Sequence, residues 1–154
     1  MRLRSALFMI ALSLVSVAGY AAADSFLGAW KLDEAKSKLA AGAPKNTMVT
    51  YEAAGDSVKV TIEGMAADGT STHSEWTGKF DGKEYPSTGN PGEDMRAAKQ
   101  VNDHTLDVTS KKGGKVVLTA HVVTSPDGKT RTVTIHTTDA KGKKATSIAV
   151  YDKQ

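Results

Sequence analysis

Apolar and polar residues alternate along much of this chain. Residues Ser57–Ile62 read polar–apolar three times, which puts two valines and an isoleucine on one face of an extended segment. Residues Arg131–Ile135 alternate in the same way, with Val133 and Ile135 opposite two threonines. A period of two residues is typical of β-strands whose two faces meet different surroundings. The pattern therefore predicts a protein built mainly of strands.

Turn signals separate the alternating stretches at regular intervals. Asp81-Gly82 and Pro126-Asp127-Gly128 are among them, and such sequences supply the positive φ that tight hairpins need. The pattern predicts ten antiparallel strands, over about residues 26–32, 46–54, 57–65, 70–80, 83–86, 94–101, 104–110, 114–124, 129–138 and 145–152.

Ten strands are more than a flat open sheet holds easily, and closing the sheet removes its exposed edges. We therefore expect an all-β, antiparallel up-and-down barrel of about 8 to 10 strands, with a two-sheet sandwich as the alternative. One short helical segment is predicted after the first strand, at Asp33–Leu39, with Asp33 as its N-cap and Glu34 in its first turn.

The N-terminus has the form of a secretory signal peptide. A basic start is followed by the apolar run Ala6–Ala18 and by three alanines that end at Ala23. The apolar run is shorter than the about 20 residues that a bilayer span needs. We expect cleavage between Ala23 and Asp24. This would leave one exported domain, 24–154, in the periplasm or secreted, with no membrane span.

Composition narrows the function classes. The chain has no cysteine, which excludes disulfides, thiol chemistry and cysteine-bound metals. Removing Arg2 and Arg4 from the 20 basic residues leaves 18 against 17 acidic ones, a formal net charge of +1 for the predicted mature part. Such a balance gives no indication of a nucleic-acid partner. We expect a monomer that folds by core burial and strand pairing.

Both ends of the predicted mature part resemble the calycins. Gly28-Ala29-Trp30 lies on the first strand, and the last strand ends in Tyr151-Asp152-Lys153. With the meander and the chain length, these ends look most like fatty-acid-binding proteins and their ten-stranded barrel. The stretch Asp81–Pro91 is similar to small secreted bacterial lipocalin-like proteins. Fatty-acid-binding proteins hold the ligand's carboxylate with Arg-x-Tyr on the last strand; here the Tyr is Tyr151, but Ala149 stands at the Arg position.

The two tryptophans have different expected roles. The resemblance implies that Trp30, on the first strand, plugs the closed end of the barrel. Trp76 alternates with Ser74 and Gly78, and both core packing and a place in the pocket wall stay open for it.

Strand pairing suggests a ligand anchor inside the barrel. If a three-residue turn joins the last two strands, Arg131 lies opposite Tyr151. A three-residue turn in the preceding hairpin would put Arg131 opposite Val123, so that His121 shares its face. A guanidinium and a phenol on an otherwise apolar face could hold an anionic head group. We therefore take Arg131, Tyr151 and His121, with Trp76, as candidate ligand-binding residues; the alternative is that this face is the outside.

The sequence predicts no catalytic or metal-binding residue. A metal site needs three converging ligands, and the register above puts His121 and His136 on opposite faces. No serine lies in Gly-x-Ser-x-Gly, and the acids mostly lie in turns. We expect no cofactor.

These observations favour a non-enzymatic carrier of a small apolar or anionic amphipathic ligand. The alternative is a protein-interaction module, such as an inhibitor or an envelope accessory protein, with a filled barrel. A hydrolase or isomerase is a less favoured third candidate. An open apolar cavity of a few hundred Å³ would favour the carrier.

Overall fold

Ten antiparallel strands follow one another around a closed barrel in the computed structural model, which describes residues 24–154. The first strand pairs with both the second and the last, so the sandwich is excluded. All ten predicted strands are present, with ends within two residues of those expected. In chain order they are β1 (Gly28–Leu32), β2 (Lys45–Ala54), β3 (Ser57–Met65), β4 (Ser71–Gly78), β5 (Asp81–Thr88), β6 (Met95–Asn102), β7 (Thr105–Lys112), β8 (Lys115–Thr124), β9 (Thr130–Thr138) and β10 (Lys144–Lys153). The predicted signal peptide, 1–23, lies outside the described residues.

The predicted short helix at Asp33–Leu39 is not formed. The Asp33 carboxylate accepts a hydrogen bond from the Lys36 backbone N–H at 3.2 Å, as an N-cap would. The chain makes only one turn, because Lys38 then pairs with Ile148 of β10 through two backbone hydrogen bonds of 2.7 and 2.8 Å. Pairing of Lys38 with β10 thus replaces the second helical turn. No helix among residues 24–154 is both long enough and apolar enough to span a membrane.

Aromatic side chains fill one end of the barrel, which we call the closed end. Phe26 and Trp30 have no exposed surface, and the Trp30 indole N–H donates to the Phe26 carbonyl at 3.0 Å. The Phe80 ring meets Phe26 edge to face at 5.8 Å between ring centroids. Trp30 is therefore buried at the closed end, and its role as a plug stays a prediction.

The opposite end, which we call the mouth, is bordered by connections between strands. Those that line the cavity are the Asp33–Pro44 segment between β1 and β2, the β3–β4 turn with Ala66, the loop after Thr88 between β5 and β6, and the β9–β10 turn. The small residues of Leu39–Pro44 line the cavity at this end. The mouth therefore has a short strap, which is anchored to β10 by the Lys38–Ile148 bridge.

Candidate ligand-binding site

An interior cavity of about 580 Å³ begins at the mouth and extends between the strands. A smaller chamber of about 80 Å³ lies next to it, toward the closed end. The two lie against each other and share part of their lining. The shared residues are Asn46, Ile62, Arg96, Leu118, Ile135 and Tyr151.

Arg131 and Tyr151 face each other across β9 and β10, and both are inside the barrel. The hairpin register pairs them directly, as expected from the sequence. Arg131 is 2% exposed and Tyr151 4% exposed, and both line the smaller chamber. This face of the sheet is therefore interior, and a role of the two residues in binding stays a prediction.

The Arg131 guanidinium lies among aromatic rings. Its Cζ is 3.9 Å from the centroid of the Trp30 ring, 4.5 Å from that of Tyr51 and 6.0 Å from that of Phe26. One Nη donates to the Phe26 carbonyl at 2.9 Å. The buried Nε donates to no group within residues 24–154, and Arg131 has no ion pair with a carboxylate there. Ring faces, a hydrogen bond with the Tyr51 side chain and one carbonyl, rather than an acid, surround this cation.

Burial acts in opposite directions on the two facing groups. It lowers the pKa of Arg131, although an arginine in a protein stays protonated. Burial also raises the pKa of Tyr151, and the neighbouring Tyr51 adds to this effect. The site therefore presents a positive charge and a neutral phenol donor to the smaller chamber at physiological pH.

His121 lies on the outside of the barrel, and its predicted place beside Arg131 is wrong. The β8–β9 turn is longer by one residue than expected, since the Ser125 backbone N–H donates to the Thr130 carbonyl at 2.8 Å. A shift of one residue moves a side chain to the other face of a strand. His121 is therefore exposed, with its Nδ1 2.7 Å from a carboxylate oxygen of Asp107.

The same shift changes the position of His121 relative to His136. His136 and His121 both point outward, on the same face of the sheet, where the three-residue turn predicted opposite faces. In the part of the chain that the structure describes, no group of three histidine or acidic side chains is arranged to hold a metal ion.

Trp76 belongs to the core and does not line either cavity. Its indole N–H donates to the Arg96 carbonyl at 3.0 Å, and its ring is stacked with Phe80 at 6.5 Å. A Cβ added at Gly78 would overlap the Trp76 ring and would lie 2.6 Å from Tyr85. Gly78 thus leaves room for the aromatic cluster, which explains why a core tryptophan has so small a neighbour.

A second interior cation, missed from the sequence, is Arg96 on β6. It lines both cavities, and its Nη2 contacts the Glu93 carboxylate at 2.7 Å. Its Nε donates to the Ser110 hydroxyl at 3.3 Å, and Ser87 donates to the same Glu93 oxygen at 2.6 Å. Arg96 and Ala98 have the alternation of an inward face. That signal was available, but Glu93 lies in a loop, where an acid is ordinarily solvated.

Glu93 is ionised in this setting. Burial opposes its charge, but the nearby Arg96 cation and hydrogen bonds from Ser110 and Ser87 outweigh burial and hold the pKa of Glu93 below its ordinary value. Its side chain is 3% exposed and that of Arg96 13%. Inside the barrel, one arginine is therefore neutralised by a carboxylate and the other is not.

Comparison with known proteins places the barrel among solved folds. No protein-family model matches the chain, and no curated protein matches it. A solved structure that does match is the fatty acid binding protein of Schistosoma mansoni in complex with arachidonic acid, with a TM-score of 0.59 and 22% identity. The match covers 86% of this chain and 98% of that one. The barrel has the calycin fold. This confirms the fold-level resemblance to fatty-acid-binding proteins, while the likeness to secreted bacterial lipocalin-like proteins stays a prediction.

Proposed function

We propose that this protein is a non-catalytic carrier that binds one amphipathic anion inside the barrel. The anionic head lies at Arg131 and Tyr151, and the hydrocarbon part runs through the larger cavity toward the mouth. The observation that carries the proposal is Arg131 itself: a buried cation beside a cavity, with no carboxylate partner among residues 24–154.

The energetics favour an anion at this position. A buried charge is costly unless it is paired, and ring faces compensate only part of the lost hydration. An anionic head group would supply the missing charge and could accept from the unused donors of Arg131 and from the Tyr151 hydroxyl. The charge pairing and hydrogen bonds that Arg131 lacks in the unliganded barrel would then contribute to the free energy of binding.

The open interior supports a carrier over an interaction module. A volume of about 580 Å³ is in the range of small-molecule sites, and aliphatic side chains form much of its lining. The interaction module requires a filled barrel. The matched structure holds a fatty acid, which is an amphipathic anion of the proposed class. In this chain the arginine is on β9, one strand away from the Arg-x-Tyr position of that family.

The test compares ligands that differ only in charge. The protein, stripped of lipid, is titrated with dodecanoate and with dodecan-1-ol in competition with a fluorescent amphipathic anion. We expect Arg131→Met to weaken dodecanoate binding about ten- to hundredfold and to leave dodecan-1-ol binding nearly unchanged, because only the anion uses the guanidinium. Lys115→Met is the matched control, since it removes a cation from the exposed outer surface. Equal loss for both ligands, or equal loss in the control, would contradict the proposal.

We also propose that the carrier works outside the cytoplasm, as a monomer that begins at Asp24. The basic start, the apolar run Ala6–Ala18 and the alanines ending at Ala23 support export. N-terminal sequencing of the protein isolated from its host should read Asp24 first. Recovery of the intact chain from Met1 would contradict the export proposal and leave the binding proposal unaffected.

A further inference from the structure

We infer that the anion this barrel selects carries a hydroxyl or carbonyl group along its hydrocarbon part, at a distance from its charged head. This inference rests on the proposed function and specifies its ligand class. The oxygen-bearing carbon would lie against a polar wall, which we define as Ser74, Asn90, Glu93 and Arg96, all lining the larger cavity.

The four residues of the polar wall come from neighbouring parts of the barrel. Ser74 lies on β4 and Arg96 on β6, and the loop with Asn90 and Glu93 joins the intervening strand β5 to β6. A Cβ at Gly89, whose φ is +85°, would collide with the His73 backbone, so this loop is packed directly on β4. Within residues 24–154, β8, β9 and β10 contribute the apolar side chains Leu118, Ile135, Ala145 and Ala149 to the lining, together with the hydroxyls of Thr137 and Ser147, and contribute no ion pair like that of Glu93 and Arg96.

An unsubstituted hydrocarbon chain fits such a wall poorly. Methylene groups would remove water from the Glu93–Arg96 pair without replacing its hydrogen bonds. A hydroxyl can both donate to a carboxylate and accept from a guanidinium. The Arg96 guanidinium has five N–H donors and makes two hydrogen bonds to side chains, those to Ser110 and Glu93. A site built to bind a hydroxyl discriminates against analogues that lack it.

The two interior arginines lie toward opposite ends of the barrel. Arg96 is the second residue of β6, which starts at the mouth, and Arg131 is the second residue of β9, which starts at the closed end. Arg96 also borders the smaller chamber, whereas Ser74, Asn90 and Glu93 line only the larger cavity. A ligand with its carboxylate at Arg131 therefore meets these three residues farther along its chain, and a substituent next to the carboxylate would not reach them.

The experiment uses a positional series of ligands on the lipid-free protein that begins at Asp24. Octadecanoate, 2-hydroxyoctadecanoate, 10-hydroxyoctadecanoate and 12-hydroxyoctadecanoate are titrated under the same conditions. We expect a mid-chain hydroxyl, at carbon 10 or 12, to bind about tenfold tighter than octadecanoate, as one hydrogen bond to a charged group would give. The 2-hydroxy acid should gain no affinity.

Two mild substitutions test the placement of the hydroxyl. Ser74→Ala removes a hydroxyl from the polar wall and should reduce the advantage of the mid-chain hydroxy acid over octadecanoate. Ile135→Val shortens an apolar side chain of the lining and should weaken the binding of all four ligands equally. If octadecanoate binds and neither mid-chain hydroxyl improves its affinity, the inference is overturned while the proposed function stands. If no member of the series binds, the proposed function itself fails.

Discussion

Arg131 and Arg96 are two interior cations of one barrel that are accommodated by different means. Arg96 near the mouth has Glu93, with which it forms an ion pair supported by Ser87 and Ser110. Arg131 near the closed end has three ring faces and one backbone carbonyl. The first arrangement is complete within the protein. The second leaves a positive charge that a ligand can neutralise, which is why we place the head group there.

The difference indicates a stabilising role for Arg96 and a binding role for Arg131. Removing one partner of a buried ion pair leaves the other as an uncompensated charge, whereas replacing a lone buried cation by an apolar group of similar size leaves no uncompensated charge. The Phe26 carbonyl also accepts from Trp30, so it keeps a partner without Arg131. Stability and affinity should therefore respond in opposite ways at the two positions.

The largest effect is expected at the ring beneath Arg131. Trp30→Ala should lower the free energy of unfolding by about 3–5 kcal/mol, because it empties a fully buried site at the closed end. Urea unfolding of the unliganded protein measures this. Val101→Ala, on a side chain that is 53% exposed, is the control and should change little. An unchanged midpoint for Trp30→Ala would show that the closed end does not depend on its tryptophan.

The next largest effect is the difference in stability between the Arg96 and Arg131 variants. Arg96→Met should cost about 3 kcal/mol, at the low end for a broken buried pair because Arg96 keeps some contact with solvent. Arg131→Met should change the stability of the unliganded protein by less than about 1 kcal/mol in either direction. Restoring neutrality with Glu93→Gln in the Arg96→Met background should recover part of the loss. Similar losses of stability in the two single arginine variants would contradict the distinction between a stabilising Arg96 and a ligand-binding Arg131.

The smallest effect is a difference in pH dependence. The pKa of Glu93 is lower in the folded protein than in the unfolded chain, so its contribution is present above the unfolded value of about 4.3 and is lost as the pH falls through the folded value. The pKa of Tyr151 is raised, so its contribution is present below the unfolded value of about 10 and is lost as the pH rises above it.

Unfolding measured from pH 3 to 6 and from pH 9 to 11 tests both assignments. The double variant Glu93→Gln/Arg96→Met should lose stability less steeply at the acid end than wild type, and Tyr151→Phe should do so at the alkaline end. A variant that followed the wild-type curve at its own end would show that its residue does not titrate with folding.

The local sequence pattern determined most of the strands and turns. Period-two alternation and glycine-containing turns predicted all ten strands, because hairpin pairing depends on residues close in sequence. The β9–β10 register followed from one turn and correctly placed Arg131 opposite Tyr151. The β8–β9 turn was predicted one residue too short, and that single error put His121 on the inner face of β8 instead of the outer face.

Tertiary structure decided what lies inside and what meets there. Alternation separates two faces of a strand but cannot say which face is interior when threonine lies on one side and arginine on the other; closure of the barrel decided this for Arg131. The helix at Asp33–Leu39 had local signals, and pairing of Lys38 with Ile148 overrode them. Glu93 became a buried partner only because its loop packs on β4, the strand before β5, and brings the carboxylate against Arg96. A charge in a loop is solvated or buried according to contacts that only the closed barrel creates.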